Sequence, residues 1–382
     1  MRSSRDFITI ILFLCLLFGI GAATLFVPDR DFSQNENRYL AQKPDFNRED
    51  LLSGEFEKGL ERYMSDQLIG RDQWVETRTD LKLLAGNRDL SGVYIGEDGY
   101  LIEKILSQDL DEELIRKNIL AVKELFRNCG EKIDKERLSF LIVPTAGLVL
   151  EEKLPKHAAV FDQSVVIDKI QAADMNCRVV DLQDAFANAQ DKDAYYYKTD
   201  HHWTSRGSFE AYKIWCREMG FDEPKEEQYK KEQVSDYFLG SLYSKALWRN
   251  APADTVELYK KKDGVPVSIE YSSIKNESDS FFDRSRLDEK DQYKVFLGGN
   301  DAEIKIHTDL ENGRRLLVIK DSYANCFVPF AAEQFEDVFL LDLRYFNGSV
   351  EQYLENHEIT DVLVLYNVEN FVADKNLRKC VK

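Results

Sequence analysis

The chain has 382 residues, of which 43% are hydrophobic and 31% charged, and its formal net charge is −18. This length and composition are typical of one large or two ordinary globular domains and exclude a disordered chain. The excess of carboxylates argues against a nucleic-acid partner, because binding to phosphate needs clustered Lys and Arg.

The first feature along the chain is an apolar segment at residues 7–27, FITIILFLCLLFGIGAATLFV, which contains no charged residue. As a helix, it is long enough to cross a hydrocarbon core of roughly 30 Å. It predicts a membrane anchor at residues 1–28, with a cleaved signal peptide as the alternative, since GIGAA offers small residues near a cleavage site. Arg2 and Arg5 precede the segment, so the positive-inside rule places the bulk of the chain outside the cytoplasm.

The remaining chain divides into a short linking region and one large domain. Residues 29–88 predict a polar linker and two juxtamembrane helices. Residues 89–382 predict an α/β domain with a mostly parallel, buried sheet, because apolar strands alternate with amphipathic helices. The predicted strands include RLSFLIVP, CRVVDL, YKVFLGG, RRLLVIKDS, DVFLLDLRYF and TDVLVLYN. Charge-mixed loops and the alternating VPVSIEYS segment predict an insertion at about 221–290 that packs over one sheet edge.

Two histidines stand side by side in YYYKTDHHWTSRGSFEAY, residues 195–212. Adjacent histidines point in different directions in regular structure and no histidine has the spacing of a helical zinc site, so we expect no metal. Asp200 and His202 would share one side of an extended segment, with His201 turned aside. A carboxylate beside an imidazole holds its tautomer and stabilises the imidazolium, as a general base requires.

A candidate nucleophile, Ser322, follows the apolar strand of RRLLVIKDSYANCFVPF and precedes a predicted helix. The carboxyl ends of strands are where open α/β sheets place their sites, and a helix N-terminus favours a developing oxyanion. The same residues are also an ordinary helix cap, and Asp-His-His is also an ordinary hydrogen-bonded core cluster. The residues alone leave both interpretations open.

Four segments together resemble the DHHW proteins, which are similar to the alginate O-acetyltransferase group with SGNH-hydrolase-like domains. These segments are GVYIGEDGYL, VPTAGLVLEEKLP, TDHHWTSRGSFEAY and LLVIKDSYANCFVPFAAEQF. The resemblance implies a flavodoxin-like, three-layer α/β/α domain with a permuted motif order. It also implies that Ser322 is the nucleophile, His202 the base and Asp200 the acid that orients it.

The resemblance also implies residues around the reacting carbonyl. Such folds use an asparagine at a later strand end for the oxyanion hole, and Asn367, which closes DVLVLYN, matches that position. Arg344, in LDLRYFNG, is a candidate for binding an acyl carbonyl or a sugar carboxylate. The GGND stretch at 298–301 is either a further block of this type or a simple turn.

The function implied by the resemblance is transfer or removal of O-acetyl groups on a cell-surface polysaccharide, without a cofactor. A transferase outside the cell needs an acetyl donor there, and the resemblance suggests a multipass membrane acyltransferase as that partner. The alternative is a non-catalytic envelope module that binds glycans or scaffolds an assembly. The distances between Ser322, His202 and Asp200 distinguish these two classes of protein.

Overall fold

The computed structural model describes residues 2–274 and 277–381. The helices, numbered along the chain, are α1 (Arg2–Phe26), α2 (Arg48–Ser53), α3 (Glu55–Asp66), α4 (Arg71–Leu84), α5 (Glu112–Cys129), α6 (Ala146–Val149), α7 (Gln163–Gln171), α8 (Gln183–Ala187), α9 (Ser205–Met219), α10 (Ser241–Ala246), α11 (Ala324–Ala331), α12 (Val350–Asn356) and α13 (Val368–Ala373). The strands are β1 (Phe32–Ser33), β2 (Arg38–Tyr39), β3 (Asp89–Leu90), β4 (Val93–Ile95), β5 (Leu101–Glu103), β6 (Leu138–Val143), β7 (Arg178–Asp181), β8 (Tyr229–Phe238), β9 (Asp254–Lys261), β10 (Val267–Tyr271), β11 (Glu277–Ser278), β12 (Glu303–Thr308), β13 (Arg315–Lys320), β14 (Asp337–Leu341) and β15 (Asp361–Asn367). The chain divides into two compact units: Met1–Leu90 with Ser244–Asn250, and Ser91–Tyr243 with Ala251–Lys382.

The first unit contains the apolar N-terminal helix. Within α1, Asp6–Thr24 is long and apolar enough to cross a membrane, a test that a signal sequence also passes. After α1 the chain is held by ion pairs around Asp66, the last residue of α3. Both oxygens of Asp66 accept hydrogen bonds from the guanidinium of Arg38, at 2.8 and 2.6 Å, and Ala41 N–H donates to the same carboxylate at 2.8 Å.

The second unit is a mixed α/β structure around an eight-stranded sheet in the order β11-β10-β12-β14-β13-β15-β6-β7. The strands from β14 to β7 are parallel to their neighbours, whereas β10, β11 and β12 run antiparallel. Strands β13, β15 and β6 are continuous apolar runs because both faces of the sheet are covered. The predicted α/β class with a large buried sheet is therefore confirmed.

Helices pack on both faces of this sheet. Leu363 and Leu365 of β15 join a core cluster with residues of α9 and α11, whereas Val362 and Val364 join a second cluster with residues of α5, α7 and α13. This alternation follows from the two-residue period of a strand, which directs successive side chains to opposite faces. The parallel strands β13 and β15 consequently end at the same edge, where the candidate site lies.

The segment predicted as the strand YKVFLGG is not a strand. Gln292–Val295 form a 3-10 turn, and the next strand is β12, whose sequence is EIKIHT. The apolar side chains of this segment are buried in the core, and Gly298 and Gly299 turn the chain with φ values of 68° and 105°. A short apolar run followed by glycines does not separate a strand from a buried turn, so the prediction was wrong here.

Residues 221–290 contribute two separate pieces of sheet. Strands β8 and β9 form an antiparallel pair, with irregular register between Gln233 and Ser235 and between Ser235 and Phe238. Strand β10, which is the predicted VPVSIEYS segment, pairs with β12 and, with β11, extends the large sheet at its edge.

A pH dependence of stability follows from Asp66. Hydrogen bonds from Arg38 lower the pKa of Asp66 to about 2, against the opposing effect of burial. Its unfolded pKa is about 3.9, so the ionised carboxylate stabilises the folded state above pH ~4 and this contribution is lost as the pH falls toward 2. We expect Asp66→Asn to lower the urea midpoint near neutral pH. The difference in urea midpoint between wild type and this variant should narrow between about pH 4 and pH 2.

The matched control is Asp45→Asn, because Asp45 is an exposed carboxylate of the same unit. Its urea midpoint should follow wild type at every pH. A gap between wild type and Asp66→Asn that stayed constant over this pH range would contradict the assigned role of the ion pair.

Candidate active site

Ser322 lies directly beyond the carboxyl end of β13 and just before α11. The preceding residue, Asp321, is buried, and its Oδ1 accepts a hydrogen bond from Tyr323 N–H at 2.9 Å. Its Oδ2 accepts from the backbone N–H and the side-chain amide of Asn367 and from the amide of Asn370, each at 2.9 Å. Burial raises the pKa of Asp321, and these donors act in the opposite direction. The loop that carries Ser322 is thus fastened to the end of β15.

The Asp-His-His segment lies in a tight bend between two paired residues. Tyr196 and Trp203 form an isolated antiparallel bridge, and Tyr197 N–H donates to the carbonyl of His202 at 3.2 Å. Thr204 caps α9 by accepting from Gly207 N–H. The indole of Trp203 is fully buried and has Tyr323 as its partner, the residue after the candidate nucleophile. Trp203 Nε1–H donates to the Tyr323 carbonyl at 3.0 Å, which ties the bend to the serine loop.

The structure brings together Ser322, His202 and Asp200, the residues predicted to act as nucleophile, base and orienting acid. His202 Nε2 lies 2.7 Å from Ser322 Oγ, and His202 Nδ1 lies 2.6 Å from Asp200 Oδ1. Asp200 also accepts hydrogen bonds from the backbone N–H groups of His202, at 3.0 Å, and Ser241, at 2.8 Å. Burial opposes the ionisation of Asp200, yet the adjacent imidazoles and N–H donors hold its pKa well below the ordinary value. The arrangement can move a proton from the serine hydroxyl to the imidazole.

The position of His201 differs from the prediction. Its ring is not turned aside: the ring centroids of His201 and His202 are 3.8 Å apart, and His201 Nδ1 lies 2.6 Å from Ser241 Oγ. The prediction assumed an extended segment, in which adjacent side chains point to opposite sides. The bend at residues 198–202 places the two rings together, so Asp200 and His202 pair through a turn and not through strand geometry.

The donor atoms of Asp200, His201 and His202 lie within 4.8 Å of one another, a grouping that could hold a metal ion. Both ring nitrogens of His202 already have partners, namely Asp200 and Ser322. A neutral imidazole has one donor and one acceptor nitrogen, so an ion on either nitrogen would displace one of these hydrogen bonds. Metal binding by His202 and the complete hydrogen-bonded chain therefore exclude each other.

Sequence reasoning missed Tyr293. Its ring stacks on the His202 imidazole with centroids 3.6 Å apart and planes 8° apart, and its hydroxyl donates to the Ser322 carbonyl at 3.3 Å. Burial raises the pKa of Tyr293 well above its ordinary value, so the hydroxyl remains a donor. Tyr293 therefore packs the imidazole in place and contacts the nucleophile's backbone.

A second missed feature is Lys320, whose side chain is fully buried at the end of β13. Lys320 Nζ donates to Asn325 Oδ1 at 2.6 Å, to Asn300 Oδ1 at 3.0 Å and to the Asp321 carbonyl at 3.4 Å. Burial lowers the pKa of Lys320 to about 8. Asn300 belongs to the GGND stretch, which is consequently a turn that also places a polar side chain against the serine loop.

Asn367 and Arg344, predicted to bind an oxyanion or substrate, each bind a buried carboxylate instead. The Asn367 amide donates to Asp321, and its Oδ1 accepts from Asn370 N–H at 2.8 Å. Arg344 forms a bidentate ion pair with the buried Asp342, with hydrogen bonds of 2.8 and 2.5 Å. Among the described residues, no hydrogen bond joins Asn367 or Arg344 to Ser322 or His202. Their catalytic roles stay predictions.

A stability prediction follows from Gly240, which lies against Asp200. A Cβ on Gly240 would lie 2.3 Å from the Asp200 Cβ. Gly240→Ala must therefore displace either the Asp200 carboxylate or the Ser241 N–H group that donates to this carboxylate. Overpacking of this kind costs about 1–3 kcal/mol of unfolding free energy. Gly147→Ala is the control, because its added Cβ would meet its nearest atoms at 3.5 Å. Urea unfolding measures both variants, and equal stabilities would contradict the proposed close packing.

The chain matches a protein-family model and has a fold similar to that of solved proteins. A family model described as DHHW protein matches residues 153–341. The fold is similar to a DHHW family protein from Eubacterium siraeum DSM 15702 (24% identity, 76% of this chain and 95% of that chain covered, TM-score 0.64). It is also similar to Bacillus cereus PatB1 solved with a sulfonyl adduct (21% identity, 76% and 98% covered, TM-score 0.65).

A more distant likeness is to the O-acetyltransferase domain of Pseudomonas putida AlgJ, at 15% identity with 74% of this chain and 93% of that chain covered and a TM-score of 0.47. The search of curated proteins gave no match. The two likenesses with TM-scores of 0.64 and 0.65 show a shared fold. Together with the family match, they confirm that this chain resembles the DHHW protein family, as its motifs indicate.

Proposed function

We propose that this protein transfers or removes O-acetyl groups on a cell-surface polysaccharide, with Ser322 as nucleophile. The observation that carries the proposal is the continuous chain of short hydrogen bonds from Ser322 Oγ through His202 to Asp200, at 2.7 and 2.6 Å. A serine that only capped a helix would need no buried imidazole paired with a carboxylate. The geometry meets the requirement for an activated nucleophile with an oriented base.

The reaction follows from the hydrogen bonds. Ser322 Oγ attacks the acetyl carbonyl carbon while its proton passes to His202 Nε2, and the imidazolium then protonates the departing oxygen. The acetyl group is left as an ester on Ser322. A sugar hydroxyl, or water in the hydrolytic case, next attacks this ester as His202 accepts its proton. The bond between the acetyl carbon and Ser322 Oγ then breaks, and the imidazolium returns the proton to Oγ. Asp200 at Nδ1 keeps the required tautomer and stabilises the imidazolium in both steps.

We propose that the Ser322 N–H and a side-chain amide near the serine loop stabilise the oxyanion. The Ser322 N–H donates to no acceptor within the described part of the chain and stands just before α11, where helix N–H groups favour negative charge. Asn300 is the second donor that we propose. Asn300 is an exposed residue whose Oδ1 accepts from Lys320 and Asn325, so its Nδ2 is the amide atom left to donate. The Asn367 amide would first have to leave Asp321 to take this role.

We place the large domain at residues 89–382, as an SGNH-hydrolase-like α/β/α domain with a permuted motif order. In this order the Asp-x-His element precedes the serine strand along the chain. Residues 1–28 form the anchor in this proposal, followed by a linking region at 29–88. The bulk of the chain then lies outside the cytoplasm, where a multipass membrane acyltransferase would supply the acetyl group. The support for this arrangement is the apolar α1 and the family resemblance.

Activity toward an acetyl ester tests the proposed roles. With p-nitrophenyl acetate, wild type should turn over and form an acetyl adduct, and Ser322→Ala should lose both. His202→Ala should lower the rate by on the order of 10²–10⁴-fold, because the general base is removed. Asp200→Asn should cause a loss of similar scale, because it favours the wrong tautomer. His201→Ala should cost far less activity. Rates are compared at matched folded fraction, and intact mass detects the adduct.

Ser285→Ala is the matched control, since Ser285 is an exposed serine of the same unit. A sulfonyl fluoride provides a second probe of Ser322, prompted by the sulfonyl adduct of the Bacillus cereus protein with a similar fold. A wild-type protein that forms neither adduct nor product would contradict the enzyme proposal and favour the non-catalytic glycan-binding alternative. Equal losses in His201→Ala and His202→Ala would contradict the roles assigned within Asp-His-His.

The oxyanion assignment gives a separate prediction that compares two asparagines. Asn300→Ala should lower kcat by about 10²–10³-fold, because one preorganised donor is lost. Its urea midpoint should fall as well, since the buried Lys320 and Asn325 lose an acceptor, so kcat is compared at matched folded fraction. Asn367→Ala should mainly lower the urea midpoint, because it leaves part of the buried Asp321 carboxylate without a donor. Steady-state kinetics and urea unfolding separate these effects. A large loss of kcat in Asn367→Ala alone would reverse the assignment.

A further inference from the structure

One face of helix α4, here called the outer face, is exposed and carries three large apolar side chains. It consists of Gln73, Trp74, Thr77, Arg78, Leu81 and Leu84, which fall within one side of a helix of 3.6 residues per turn. Trp74 is 51% exposed, Leu81 61% and Leu84 84%. A helix of a soluble domain normally packs such large apolar side chains inward, whereas α4 turns these three outward.

Charge is segregated on α4 in the same direction. The outer face carries Arg78 and no carboxylate, although the whole chain has a net charge of −18. The acidic residues of α4 lie outside this face and are paired. Asp72 contacts Arg30 at 3.2 Å, while Glu76 and Asp80 contact Arg249 at 3.0 and 3.8 Å. The outer face therefore combines apolar side chains with a cation, which suits a membrane surface that contains anionic lipid.

The residues just before α4 are bonded to the end of the apolar helix α1 and to the residues that follow it. Ile69, two residues before α4, donates its backbone N–H to Thr24 Oγ1 at 3.3 Å, and Thr24 lies in the last turns of α1. Arg30, just after α1, accepts from and donates to the Gln67 side chain at 2.9 Å. These contacts hold the start of α4 beside the residues where α1 would leave a bilayer.

We infer that α4 lies on the surface of the membrane that α1 crosses, with its outer face against the lipid headgroups and upper acyl chains. This inference rests on the membrane anchor of the proposed function. A tryptophan at this depth is typical of membrane interfaces, where its ring is apolar and its N–H remains hydrated. The bilayer, rather than a protein partner, is the occupant because the contacts with Thr24 and Arg30 hold the start of α4 beside the end of α1.

Fluorescence of the full chain in vesicles tests this inference. The protein is reconstituted through α1 into phosphatidylcholine and phosphatidylglycerol vesicles, with or without brominated acyl chains that quench nearby tryptophan. Trp203 and Trp215 are buried in the protein, which leaves Trp74 and Trp248 as the accessible reporters. Bromolipid should quench wild type, and Trp74→Phe should remove most of this quenching, whereas the matched Trp248→Phe should retain it.

A second pair of variants changes the outer face itself. Leu81→Glu places a carboxylate against lipid and should reduce the quenching of Trp74 by about half or more, because a charged group resists burial at the interface. Leu120→Glu makes the same change at an exposed leucine of α5 and should leave the quenching unchanged. An anchored chain whose quenching is unaffected by Trp74→Phe, or lowered equally by both glutamates, would overturn the inference alone. A chain that fails to float with the vesicles would overturn the anchor as well.

Discussion

The position of the candidate nucleophile depends on one buried carboxylate. Asp321 accepts four hydrogen bonds, three of which come from Asn367 and Asn370 at the end of β15 and the start of α13. Because an unpaired buried carboxylate is costly, this set of donors strongly favours one conformation of the loop. Ser322 is next in the chain, so the sheet edge that fixes Asp321 also fixes the serine. The hydroxyl is thereby directed to the histidine and away from the amide cluster.

A second buried carboxylate fixes the histidine side of the site. Asp254 accepts hydrogen bonds from Lys198 N–H at 2.7 Å and from the N–H and hydroxyl of Thr199 at 2.8 and 2.6 Å, immediately before Asp200. Burial raises the pKa of Asp254 to about 6, with these donors opposing the shift. The two halves then meet through the hydrogen bond from Trp203 to the Tyr323 carbonyl. Both catalytic candidates are therefore placed by acidic residues that take no part in the proposed reaction.

The sequence predicted those parts of the site for which the local residue pattern and the topology of the sheet agree. The apolar run before Ser322 identified β13, and the rule that sites lie at the carboxyl ends of parallel strands directed attention to that serine. His202 and Asp200 were found because a carboxylate two residues before an imidazole has a chemical meaning on its own. Tyr293 had no such signal, since its contact with His202 depends on how a buried turn packs. His201 was misplaced for a related reason: the bend that brings its ring to His202 is stabilised by distant residues, including Ser241.

The packing around His202 bears on the difference between transfer and hydrolysis. Tyr293 and His201 contact the imidazole with ring centroids at 3.6 and 3.8 Å, and Ser322 and His202 are only 8% and 6% exposed. The His201 side chain is 32% exposed, so solvent reaches the site beside His201 rather than beside the buried Tyr293. In the proposed reaction the same hydrogen bonds would activate either a sugar hydroxyl or a water molecule, and therefore they do not select between the two acceptors. In the proposed reaction, selection must come from what covers the exposed side of His201 while the acetyl group is on the serine. A polysaccharide bound there would exclude water and favour transfer, whereas an uncovered His201 would favour hydrolysis.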